Sequence, residues 1–85
     1  MYVHIGGDRT LSDRLIVGIF HFDGSTGPYT DRTTRRFLAE KEAQGLVTVL
    51  GDDLPKSFIV TLEGVYLSPV SVQTLYRRLS AGQIV

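Results

Sequence analysis

An α+β domain is the fold class this sequence predicts: a small, mainly antiparallel sheet, one central helix and a short C-terminal helix. Three observations carry it. Apolar runs at residues 15–22, 46–50, 57–62 and 65–67 are too short to be helices and are separated by breaks containing Gly, Asp or Pro. One segment with apolar residues at helical spacing lies between the first two runs, and another follows the last. The order is therefore strands, helix, three strands, helix, in one domain spanning residues 1–85.

Taken in order, Tyr2 to Ile5 reads as a short strand, with Gly6-Gly7-Asp8 as a hairpin turn and a second extended piece around Thr10-Leu11. Leu15-Ile16-Val17-Gly18-Ile19-Phe20-His21-Phe22 is the strongest strand signal, rich in β-branched and aromatic residues. Strict alternation places Ile16, Phe20 and Phe22 on one face and Leu15, Val17 and Ile19 on the other. A strand with two apolar faces needs cover on both, and in so short a chain a second subunit can supply one. Residues 23–28 read as a loop. A helix should start near Thr30 or Asp31, either of which can cap it, bury Phe37 and Leu38, and stop at Gly45. Leu46 to Leu50 is the next strand. Ser57 to Leu62 and Val65 to Leu67 form a hairpin through Glu63-Gly64. Ser71 caps the last helix, whose apolar face is Val72, Leu75, Tyr76 and Leu79, and Ala81-Gly82-Gln83 ends it.

With 85 residues, a chain buries only roughly 60–65% of its unfolded surface, so its own core is marginal. Cysteine is absent, which excludes disulfides and thiolate metal sites. No apolar run approaches the roughly 18 residues of a membrane span, and the N-terminus has no basic segment followed by a long apolar core. The expectation is a cytoplasmic protein that does not engage a membrane.

Nine basic residues, seven of them arginine and two lysine, balance nine acidic ones, giving a net charge of zero. Nucleic-acid-binding domains are usually strongly basic, but phosphate responds to the local field, and a neutral chain can segregate its charges. The arginine bias fits either bidentate anion contacts or interface ion pairs.

Each candidate has an ordinary structural alternative. Arg35 and Arg36, with Arg32 one turn earlier, form the densest basic cluster. Arg32 and Arg36 repel at i, i+4, which an anion would relieve, but the same face can simply be solvated, with Arg36 paired to Glu40. Arg14 can point along a strand edge into a groove, or pair with Asp13 or Asp8. Lys56 is held between Pro55 and a strand, and an edge lysine there can serve only to discourage aggregation. Arg77 and Arg78 can meet phosphate or complement the helix dipole. His4 and His21 lack ligand-spaced partners, Ser12 and Ser25 lack a nearby base, and Gly6-Gly7-Asp8-Arg9 lacks the context of a phosphate loop. Asp52-Asp53 reads as turn chemistry, and Tyr2, Tyr66 and Tyr76 as core or interface residues. No metal, cofactor or catalytic residue is expected.

Three stretches together resemble a known family. They are Ser12-Asp13-Arg14-Leu15-Ile16-Val17-Gly18-Ile19-Phe20, the helix Thr33-Thr34-Arg35-Arg36-Phe37-Leu38 closing at Gly45, and Lys56-Ser57-Phe58-Ile59-Val60-Thr61 leading to Val65-Tyr66-Leu67-Ser68-Pro69-Val70-Ser71. The pattern resembles the regulator-of-extracellular-matrix family, RemA and RemB, across nearly the whole chain. Tyr66-Leu67-Ser68-Pro69 and Tyr2-Val3-His4-Ile5-Gly6 favour the RemB branch. The resemblance implies a bacterial DNA-binding transcriptional regulator of biofilm matrix genes. It also implies a ring-shaped homo-oligomer that presents arginines to double-stranded DNA along its outer surface. On the matching positions it assigns Arg14, Arg35, Arg36 and Lys56 to nucleic-acid binding. The chain departs from the RemA branch at Gly51-Asp52-Asp53-Leu54-Pro55, which stands where that branch has an arginine-rich loop, and two acids there repel phosphate. The competing expectation is an oligomeric structural or interaction module that binds a protein partner and not DNA, with the arginines in inter-subunit ion pairs. Nothing in the sequence supports an enzyme.

Overall fold

A computed structural model describes residues 1–22 and 32–80, with side chains from residue 35 onward in the second stretch. Along the chain run strands β1 (Tyr2–Gly6), β2 (Arg9–Ser12) and β3 (Ile16–His21), helix α1 (Arg32–Ala43), strands β4 (Val47–Val49), β5 (Ser57–Thr61) and β6 (Gly64–Ser68), and helix α2 (Val72–Ser80). A single 3-10 turn, Asp13–Leu15, joins β2 to β3. The predicted α+β class is what the structure shows. The predicted N-caps of α1, Thr30 and Asp31, and the predicted end of α2 at residues 81–83 lie outside the described residues.

The central sheet has the order β3-β5-β6-β4, with β1 and β2 forming a separate antiparallel hairpin. The β3–β5 and β5–β6 pairs are antiparallel, and β4 runs parallel to β6. Residues two apart on a strand share a face. One face of the sheet carries Ile19 and Ile59, which join Val3, Ile5 and Leu11 of the hairpin, Leu50, and Val72 and Leu75 of α2 in the core. Ile5, Ile59 and Leu75 are fully enclosed. The opposite face carries Phe20, Phe58, Leu67 and Val47, and α1 packs there over Val47 and Leu67. Phe20 and Phe58 stack with ring centroids 5.1 Å apart, and Phe22 meets Phe58 edge-on at 6.4 Å.

Two buried serines lock the turn between β6 and α2. Ser68 donates its hydroxyl to the Ile5 carbonyl and accepts from the Val70 amide at 3.0 Å. Ser57 donates to the Val70 carbonyl at 2.8 Å. Both are completely enclosed, so the hydroxyls satisfy backbone groups whose exposure to an apolar core would cost about 1–3 kcal/mol each.

Helix ends follow local chemistry. Gly45, at φ +73°, closes α1: its amide donates to the Glu42 carbonyl at 2.9 Å while the Leu46 amide donates to the Lys41 carbonyl at 2.9 Å. Ser71 caps α2, accepting from the Thr74 amide at 3.2 Å. Gly64 has a steric reason: a Cβ there would sit 2.6 Å from the Leu46 carbonyl oxygen, the same atom that accepts the Val65 amide.

The structure corrects the sequence reading at several points. First, β3 begins at Ile16, because Leu15 belongs to the 3-10 turn. Second, β3 carries a bulge between Ile16 and Gly18, which breaks strict alternation and turns Ile16 toward the same core as Ile19. Third, the β5–β6 turn is Leu62-Glu63, since Gly64 pairs with Thr61. The Thr61 side chain accepts both the Glu63 and Gly64 amides at 3.0 Å, which fixes that turn. Fourth, Tyr76 lies at the margin of the α2 stripe and is half exposed, while Val72 and Leu75 are buried. Of the two readings of Tyr2, core or interface, its exposure removes the first, and Phe37 and Leu38 are only half-buried. The expectation of cover on both faces of β3 is met on one side within the subunit: Ile19 is buried, whereas Val17 and Phe20 are 64% and 48% exposed.

Candidate nucleic-acid interface

The four basic residues singled out in the sequence fall at two ends of the sheet. Arg14 sits in the 3-10 turn, where its amide donates to Ser12 Oγ at 3.3 Å, and its side chain is exposed. The next residue, Leu15, accepts the Leu62 amide at 3.0 Å, so Arg14 stands beside the β5–β6 turn. Lys56 stands at the other end of β5. Its amide donates to the Ser68 carbonyl at 2.7 Å and its carbonyl accepts the Phe22 amide at 3.1 Å, so its backbone is held from both sides while its side chain is exposed. The five residues of β5 separate the two positions, a span of roughly 15 Å or more at the rise of an extended strand.

Arg35 and Arg36 belong to the Lys56 end. Arg35 lines a cleft of about 290 Å³ between α1 and the sheet, together with Phe22, Leu38, Ala39, Glu42, Val47 and Leu67. Phe22 is the residue whose amide is bonded to Lys56. Arg36 follows on the exposed surface of α1 and does not line the cleft. The protomer therefore brings Arg35, Arg36 and Lys56 to one end and leaves Arg14 at the other.

Several of the ordinary structural alternatives are not realised. Asp13, a partner considered for Arg14, instead pairs with the N-terminal ammonium at 3.6 Å, and this is the ion pair found among the described residues. No pairing of Arg36 with Glu40 forms there. Lys56 is not an edge-strand lysine, since β5 is an interior strand of the sheet. Arg78, by contrast, is committed within the molecule: it donates to the His4 carbonyl at 2.7 Å and so ties α2 to β1. The His4 ring in turn bonds the Gly7 carbonyl at 2.9 Å, a structural task for a residue that sequence spacing left without one. Sequence reasoning also missed Arg9, whose guanidinium lies 5.3 Å from the centre of the Tyr66 ring. That contact joins β2 to β6, strands far apart in the chain, and no local pattern announces it.

Among the described residues, no cluster of His, Asp or Glu could hold a metal ion. No described helix is long and apolar enough to cross a membrane.

This arrangement defines a small α+β domain with exposed cations in the turn before β3, in the first half of α1 and just before β5. The chain is similar to the extracellular matrix regulatory protein B of Bacillus subtilis (strain 168), with 38% identity over 78 residues, covering 92% of this chain and 89% of the relative. It belongs to the RemA/RemB family of extracellular matrix regulators, on the RemB branch. No family model matches the chain.

Proposed function

We propose that this protein regulates extracellular-matrix genes by binding double-stranded DNA in the bacterial cytoplasm as a ring-shaped homo-oligomer, without catalytic activity of its own. The observation that carries the reading is the set of exposed cations, Arg14, Arg36 and Lys56, whose backbones are fixed and whose side chains make no described ion pair, in a member of this family. Arg35, beside Arg36, lines the cleft. A zero net charge does not oppose this, because a closed assembly repeats each cation around its rim and multiplies weak phosphate contacts. Contacts of this kind position a protein on the duplex, and any sequence preference comes from DNA shape and bending.

Arg14→Ala tests this one residue at a time. Its expected result is weaker binding to duplex DNA, with the log–log salt slope flattened by about 0.9 for each phosphate that is no longer neutralised. Circular dichroism should stay unchanged, because the side chain is exposed. Undiminished affinity in this variant would remove Arg14 from the interface.

A second reading, a module that binds a protein partner, is favoured by one observation. The loop that carries Asp52 and Asp53 also exposes Leu54, at 85%. Acids beside a bare leucine suit a protein surface better than a phosphate backbone.

A further inference from the structure

Leu54 is the most exposed large apolar side chain described, and it projects from an exposed loop with Asp52 and Asp53 immediately before it. The residue before a proline is held extended, so Pro55 fixes the backbone of Leu54. Its counterpart in shape and charge is the cleft between α1 and the sheet. The cleft lining is mostly apolar, from Phe22, Leu38, Ala39, Val47 and Leu67, with Arg35 and Glu42 as its charges. Leu54 takes no part in lining the cleft of its own subunit.

We infer that the Leu54 side chain of one copy seats in this cleft on a second copy, with Asp52 and Asp53 meeting Arg35. Charge complementarity selects this occupant. The loop is an acidic pair ahead of an apolar side chain, and the cleft is an apolar hollow with a guanidinium on its lining. The direction is fixed as well. Arg35 and Glu42 stand near opposite ends of α1, roughly 10 Å apart along the helix. The acids must therefore enter at the Arg35 end, because at the Glu42 end like charges would face each other.

The inference rests on the oligomeric reading above and deepens it by naming the joint. It assigns Arg35 to the contact between copies and leaves Arg14, Arg36 and Lys56 for DNA. It also gives the acidic loop a use other than repelling phosphate.

The test is sedimentation velocity of the full chain over a concentration series. The wild type is expected to assemble. Leu54→Glu and Arg35→Glu should each raise the concentration needed for assembly about tenfold or more, while Arg36→Glu, one residue along but outside the cleft, should assemble like the wild type. Arg35→Glu combined with Asp52→Lys and Asp53→Lys should recover assembly, since the charges are exchanged across the joint. Leu54 is exposed, so its variant keeps the fold, which thermal unfolding by circular dichroism would register. If the wild type assembles and Leu54→Glu assembles equally well, the joint is wrong and the oligomer stands. If the wild type is monomeric at every concentration, the oligomeric reading falls and this joint with it.

Discussion

Ile59→Ala is expected to lower the free energy of unfolding by about 2–5 kcal/mol. Ile59 is fully enclosed at the middle of β5, paired with Ile19 on one side and Tyr66 on the other, and lies under the β1–β2 hairpin and α2. Truncation removes apolar burial and leaves a hollow that two sheet neighbours and a helix cannot all move to fill. Domains of this kind have only about 5–15 kcal/mol in hand, and the smallest lie at the low end. A large fraction of the variant should therefore be unfolded at moderate urea concentrations where the wild type is folded. Leu62→Ala is the comparison. Leu62 is 73% exposed in the β5–β6 turn, and its change should stay within about 0.5 kcal/mol. Both should be measured by urea unfolding at one fixed protein concentration, because assembly adds a concentration-dependent contribution to stability. A loss below about 1 kcal/mol for Ile59→Ala would contradict the assignment of this core.

The combined change of Arg14, Arg36 and Lys56 to alanine is expected to reduce duplex affinity by about a hundredfold or more at low salt. It should lower the log–log salt slope by roughly 2.7 for each engaged subunit, about 0.9 for every phosphate that a missing cation had neutralised. Affinity should fall alike on unrelated DNA sequences, as phosphate contacts carry no sequence information. The fold should persist, since all three side chains are exposed and none makes a described ion pair. Fluorescence anisotropy with labelled duplexes gives both quantities. A triple variant with the wild-type slope would place the DNA contact elsewhere, and Arg9 on its Tyr66 platform would become the next residue to change.

Much of the framework is legible in the sequence because its causes are local. Gly45 ends α1, Ser71 starts α2, and short β-branched runs form β3 to β6 within a residue or two of where spacing puts them. What is not legible has non-local causes. The bulge at Val17 depends on the register of β3 against β5, and it overturns the face assignment that alternation alone would give. The parallel pairing of β4 with β6 depends on where the chain returns after α1, which no single segment encodes. The candidate site divides in the same way. Composition and spacing leave each of Arg14, Arg35, Arg36 and Lys56 with an ordinary local alternative, and the family resemblance is what groups them; neither shows that Arg14 sits at the opposite end of the sheet from Lys56. Nor can they show that Arg78 is spent on the His4 carbonyl, a bond between residues near the two ends of the described chain.

Whether this family member holds DNA through phosphate is decided most directly by the salt dependence of wild-type binding to a labelled duplex, measured by anisotropy at about 50 and 200 mM salt. An assembly that neutralises roughly 6–10 phosphates should lose about a thousandfold or more in affinity across that range. That result would establish a phosphate-binding face and make the arginine and lysine variants interpretable. Absence of binding at the lower salt would contradict DNA binding, and an affinity that salt does not change would contradict the phosphate contacts. The acidic loop, Leu54 and the half-covered face of β3 would then point to a protein partner instead.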